Sequence, residues 1–205
     1  MKEKQLTKNG NNPEKAREAA LKLLDYSDRT ESELTERLLK KGYEPDIVDE
    51  VVGALVNCGL VDDTRYAELF IKGKLEAGKG KIWIRNKLKE KGIDASTVEA
   101  AFDAALQEAD ESVLCLRKAL SVCGLADMYE VDAGGEIGRA LFYDGETFDD
   151  GELRYFYRDV ADDESDRQEI YKAHEKAKAR LVRRLVSLGY TSGMAFDAAK
   201  KIDLL

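Results

Sequence analysis

Proline, cysteine and histidine are scarce in this 205-residue chain, and each scarcity excludes something. With only 2 prolines and 36% charged residues, the composition suits long solvent-facing helices better than a strand-rich fold. The three cysteines, Cys58, Cys115 and Cys123, are an odd number without a CxxC pair. The last two lie about 12 Å apart if they share a helix, beyond disulfide reach. Reduced and mostly buried thiols are expected. His174 is the only histidine, and it lies among lysines on a solvated helix, so neither a zinc site nor histidine acid–base catalysis is expected. No apolar run approaches the roughly 20 residues that span a bilayer, and the polar start lacks the apolar segment of a secretory signal. These features point to a cytoplasmic protein.

What the chain does have is a helical module written three times around a glycine and a large apolar residue: Gly42-Tyr43, Gly92-Ile93 and Gly189-Tyr190. Four and eight residues before each glycine stand Leu38 and Leu34, Leu88 and Ile84, Leu185 and Leu181, which places one apolar stripe on a helix. The glycine closes that helix in the left-handed conformation, and a further helix opens at Ile47-Val48, Val98 or Met194-Ala195. One such unit cannot bury its own stripe, so copies must stack, and stacked helical repeats usually make binding surfaces. The fold class expected is all-α, in tandem three-helix modules.

The boundaries follow from capping and turn signals. Residues 1–12 form a polar, disordered tail. The first module covers 13–61, the second 62–110 and the third 111–205. Thr30-Glu31-Ser32-Glu33 reads as a capping box, Pro45 starts a helix, and Asp62-Asp63 and Asp94 are placed to cap helices. The third module is interrupted by an insert at about 124–168, whose removal should leave the helical fold intact. Ala140–Tyr143 and Leu153–Tyr157, around two Asp-Gly turns, suggest a β-hairpin inside it. Its run Tyr155-Phe156-Tyr157 either anchors the insert or docks on a basic protein groove.

Charge is segregated along the chain. The net charge of -8 hides 14 acidic and 4 basic residues between Gly124 and Gln168, which leaves the remainder slightly basic. Lys72–Lys91 is strongly basic, and so is Lys172–Arg184 with six cations against Glu175. Gly73–Lys79 matches most of a phosphate-binding loop, but Gly80 replaces the required Ser or Thr and no strand precedes it, so a turn is the better reading. Gly80 could still present helix-start amides to a phosphate, with the nearby cations converging on it. Trp83 is either core-packed or an exposed anchor. Asp162-Asp163-Glu164 lacks the pattern of a cation site.

Three motifs in order resemble the RecX family of bacterial regulators of the RecA recombinase: Ser32–Tyr43, Gly59–Ala67, and Gly78-Lys79-Gly80 through Gly92-Ile93. The resemblance implies a curved array of three-helix modules seated in the groove of a RecA filament on DNA. There it would restrain ATP hydrolysis, filament extension and strand exchange in recombination and repair. It implies a protein that is not itself an enzyme; no cofactor is expected, and the chain is expected to act as a monomer. RecA and DNA, the latter directly or through RecA, are the expected partners. The candidate contacts on the middle module are Arg65, Lys79, Lys81, Arg85 and Lys87. The rival expectation is a stand-alone nucleic-acid-binding repeat protein using the same cations. The insert and Trp83 depart from the family pattern.

Overall fold

The computed structural model describes residues 12–106, 110–127, 129–139 and 164–202. Among them are nine α-helices and one short β-hairpin. The helices are α1 (Pro13–Tyr26), α2 (Glu31–Lys40), α3 (Pro45–Asn57), α4 (Asp63–Glu76), α5 (Lys81–Glu90), α6 (Ala95–Ala105), α7 (Glu111–Val122), α8 (Glu164–Ser187) and α9 (Ser192–Ile202). The fold is all-α, in tandem three-helix domains.

Each repeat closes its second helix in the same way. Gly42, Gly92 and Gly189 have φ of 91°, 81° and 98°, the left-handed region that a side chain strains. The amides of Tyr43, Ile93 and Tyr190 reach back to the carbonyls of Leu38, Leu88 and Leu185 at 3.3, 3.2 and 3.3 Å. The glycine amides bond Leu39, Lys89 and Val186, which completes a Schellman motif three times. All six stripe residues, Leu34, Leu38, Ile84, Leu88, Leu181 and Leu185, are buried. Burying each such side chain contributes on the order of 1.5–3 kcal/mol.

The chain divides into two compact units. The first comprises residues up to Gly73 together with Arg85–Ala105, and the second comprises Lys74–Ile84 and everything after Ala105. A core of the first unit gathers Ala16 and Ala20 of α1, Leu34 and Leu38 of α2, and Ile47, Val48, Val51, Val52 and Leu55 of α3. The core of the second joins Val113, Leu116, Ala119 and Leu120 of α7, Leu181, Val182 and Leu185 of α8, and Ala195, Ala198, Ala199 and Ile202 of α9.

The insert differs from expectation at its start. Residues 140–157, where the sequence suggests a hairpin, lie outside the described residues. A hairpin forms earlier, with β1 (Tyr129–Val131) antiparallel to β2 (Ile137–Arg139) and Val131 opposite Ile137. Its turn is held by Asp132, whose carboxylate accepts from the Glu136 amide at 2.9 Å. Leu125 and Val131 belong to the second unit's core, and the Arg117 guanidinium donates to the Val131 carbonyl at 2.8 Å. The first part of the 124–168 segment therefore packs as core and cannot be removed without leaving cavities. At its far end, residues 164–168 are the first turns of α8, a helix of 24 residues.

All three cysteines are free thiols. Burial pushes Cys115 up to about 12, and the Glu111 charge adds to the shift. Cys58 is exposed, contrary to the mostly buried set expected, because it falls past the last inward-facing position of α3.

Candidate functional site: the module junctions and the cations around them

In the first unit, the start of α2 is fastened to the two helices that follow in the next repeat. Thr30, fully buried, caps α2 by accepting from the Glu33 amide at 3.2 Å and donates its own hydroxyl hydrogen to the Lys91 carbonyl at 2.7 Å. The first amide of α2, that of Glu31, donates to the Asp63 carboxylate at 2.9 Å. The pivot Gly92 sits against the first turn of α2, where an added Cβ would fall 2.3 Å from Ser32 Cβ and Oγ.

The second unit repeats this device at the start of α5. The Gly80 amide donates to the Leu188 carbonyl at 2.8 Å, the carbonyl just before the pivot Gly189. The first amide of α5, that of Lys81, donates to Glu111 Oε1 at 2.8 Å. A Cβ on Gly189 would fall 2.4 Å from the Trp83 amide nitrogen, and one on Gly80 2.3 Å from the Gly189 carbonyl. In both junctions the carboxylate belongs to the first residue of the next repeat's leading helix.

The acidic pairs therefore divide their labour. Asp62 and Asp110 cap their own helices, α4 and α7, accepting from the amides of Arg65 at 2.9 Å and Ser112 at 2.8 Å. Asp63 and Glu111 serve the preceding repeat, each placing a negative charge at the positive end of another helix. Burial raises the Asp63 carboxyl above its ordinary value, while the hydrogen bond from Glu31 works against the rise.

This geometry corrects the expectation of a phosphate site at Gly80. The amides of Gly80, Lys81 and Ile82 are taken by the Leu188 carbonyl, Glu111 and the Gly189 carbonyl. A protein carboxylate already occupies the position an anion would take. Gly80 is required because two backbones approach closely, not because a ligand does.

The capping box is likewise only half of what the sequence suggests. Glu33, instead of folding back on its own helix, pairs with Lys91 at 2.8 Å, and both side chains are about three-quarters buried. Burial works to lower the Lys91 ammonium, but its bonds to Glu33 and Tyr66 outweigh that and raise it. Its nitrogen also lies 5.2 Å from the Tyr66 ring centre. Asp94, by contrast, caps α6 as expected, accepting from the Ser96 and Thr97 amides at 2.8 and 3.1 Å.

The five candidate contacts are not equivalent. Arg65 is exposed on α4, and its guanidinium has no ion pair among the described residues. Arg85 is held by Glu99 through two bonds of 2.7 and 3.0 Å and lies 5.8 Å from the Phe102 ring centre. Lys87 pairs with Glu90 at 2.6 Å. Lys79 and Lys81 belong to the second unit. Lys79 covers the Trp83 ring at 5.0 Å, and Lys81 is half-buried with its backbone in the junction. Trp83 combines the two readings left open by the sequence: its backbone is pressed on Gly189 while the side chain is half-buried.

Among the described residues no three His, Cys, Asp or Glu side chains are grouped to hold a metal, and no helix is long and apolar enough to cross a membrane. The His174 side chain and residues 162–163 lie outside the described set.

Family profiles described as "RecX, first three-helix domain" and "RecX, second three-helix domain" match residues 16–55 and 62–101. A protein of Mycolicibacterium vanbaalenii named regulatory protein RecX is 33% identical over 185 residues, covering 90% of this chain and 80% of that one. A namesake from Halorhodospira halophila is 33% identical over 107 residues, which span 64% of its length. The crystal structure of RecX from Lactobacillus salivarius aligns with a TM-score of 0.62 over 94% of this chain at 20% identity, a likeness of fold.

Proposed function

Because this chain belongs to the RecX family of regulatory proteins, we propose that it binds RecA and its DNA filament and restrains RecA's ATPase, filament extension and strand exchange during recombination and repair. The observation that carries this reading is the match to a protein of that name over 90% of the chain. Two junctions of the same design, one within each unit, add support, since each holds a helix start against the next repeat and fixes the side chains around it for a partner.

On this reading the protein works by occupancy: it catalyses nothing, needs no cofactor, resides in the cytoplasm and acts as a monomer. Of the five candidate cations, Arg65 is the strongest contact, since a partner can engage its guanidinium without first breaking an ion pair. Lys79 and Lys81 follow. Arg85 and Lys87 act mainly through the fold.

Titrating the purified protein into RecA with single-stranded DNA and ATP tests the reading. ATP hydrolysis and strand exchange should fall with added protein, and Arg65→Ala should need a higher concentration for the same effect. Unchanged hydrolysis and strand exchange at saturating protein would reject it. Binding to DNA of equal strength with and without RecA would favour the stand-alone nucleic-acid binder instead.

A further inference from the structure

The sequence marks Lys72–Lys91 as the most basic stretch, but much of that charge is neutralised internally. Arg85, Lys87 and Lys91 are paired with Glu99, Glu90 and Glu33. The α5 amides that would add to a positive site are used at the junction with the third repeat. The second basic stretch has a different fate. On α8, Lys172, Lys176, Arg180, Arg183 and Arg184 are all exposed, and none forms an ion pair among the described residues.

Their spacing is regular. Lys172, Lys176, Arg180 and Arg184 succeed one another every four residues, about 6 Å apart along the axis, with Arg183 filling the same face. The row is about 18 Å long. From Tyr171 to Ser187 the helix carries only one carboxylate, Glu175, and the 100° helical rotation places it outside this face. Leu181, Val182 and Leu185, on the opposite side, are buried in the core of the second unit. Arg183 Nε donates to the Ala179 carbonyl at 3.1 Å, which leaves its two terminal nitrogens available.

We propose that this face of α8 is a rail for the phosphate backbone of single-stranded nucleic acid. A row of cations separated by several ångströms can meet successive phosphates of one extended strand, and it reads no base. A membrane surface is disfavoured because an interfacial helix must insert its apolar face, and that face of α8 is already buried in the module. The α8 rail shares with the proposed function only the premise that DNA is a partner. It is tested without RecA, so that either can fail alone.

The test is fluorescence anisotropy of a labelled oligothymidylate, with the full chain titrated across a range of salt. Each lost phosphate contact flattens the slope of log affinity against log salt by about 0.7 for a single strand, so Lys176→Gln/Arg180→Gln should flatten it by about 1.4. Affinity near 0.1 M salt should fall by roughly 10- to 30-fold. Lys22→Gln/Lys40→Gln removes the same charge from two surface lysines already paired with Glu18 and Glu36, and should leave the affinity unchanged. Circular dichroism of both variants checks the fold. An equal loss in both variants, no loss in the α8 variant, tighter binding to duplex than to single strand, or binding only to anionic lipid vesicles would each overturn the proposal.

Discussion

Gly80→Ala is the sharpest perturbation the fold offers. An added Cβ would stand 2.3 Å from the carbon and oxygen of the Gly189 carbonyl and 2.5 Å from the Tyr190 amide nitrogen. These are backbone atoms of a closed Schellman turn and cannot swing aside as a lysine tip can. The start of α5 must retreat, which costs about 1–3 kcal/mol for the forced contact. The retreat also stretches three bonds: Gly80 to Leu188 at 2.8 Å, Ile82 to Gly189 at 3.1 Å, and Lys81 to Glu111 at 2.8 Å. The last has a charged acceptor and by itself contributes about 1.5–3 kcal/mol. A net loss of about 3–5 kcal/mol is expected, or roughly 10 °C in midpoint for a domain of this size.

Gly73→Ala is the internal control. Gly73 lies within α4 with nothing within 4 Å of its added Cβ, so the same substitution should stabilise by about 0.5–1 kcal/mol. Thermal and urea unfolding followed by circular dichroism measure both. Hydrogen exchange at residues 80–82 should accelerate in Gly80→Ala alone. A Gly80→Ala protein that melts with the parent and keeps those amides protected would refute the backbone contact.

Two other outcomes follow from the packing and the caps. Leu125→Ala should cost about 2–4 kcal/mol in urea unfolding, because Leu125 is 6% exposed in the core of the second unit although it opens the acidic insert. A loss below half of that would return the whole insert to the role of a dispensable loop. Hydrogen bonds from Ser96 and Thr97 hold the Asp94 carboxyl well below its ordinary range, so its ionised form favours the folded state. That contribution is complete above the unfolded value of about 3.9 and is lost as pH falls through the folded value. Asp94→Ala should therefore flatten the acid limb of stability below about pH 4 and leave its shape near neutrality unchanged; an identical acid limb would contradict the cap.

The architecture was legible because its signals are local. A leucine four residues from another shares its helical face whatever the rest of the chain does, and a glycine followed by a large apolar residue closes a helix through bonds spanning five residues or fewer. Leu38, Gly42 and Tyr43 illustrate this, as do the caps at Thr30, Pro45 and Asp94. The second acid of each pair was less legible. Asp63 and Glu111 look like ordinary first-turn acids that favour their own helix dipoles, but a capping acid already stands before each of them, and the pair recurs in successive copies. That surplus was the one available signal of the junction.

The sequence by itself determined where the helices lie, which faces they bury and where they end, since periodicity and left-handed glycines act over one or two turns. Tertiary structure alone decided which cations remain available. Glu33 neutralises Lys91 across 58 residues and Glu99 neutralises Arg85 across 14, and no local pattern announces either pair. It also decided that Glu111 fills the helix start a phosphate would have needed. Charge density can be read along a chain, but available charge depends on partners brought together by folding, and by that measure α8 rather than the middle repeat carries the exposed row.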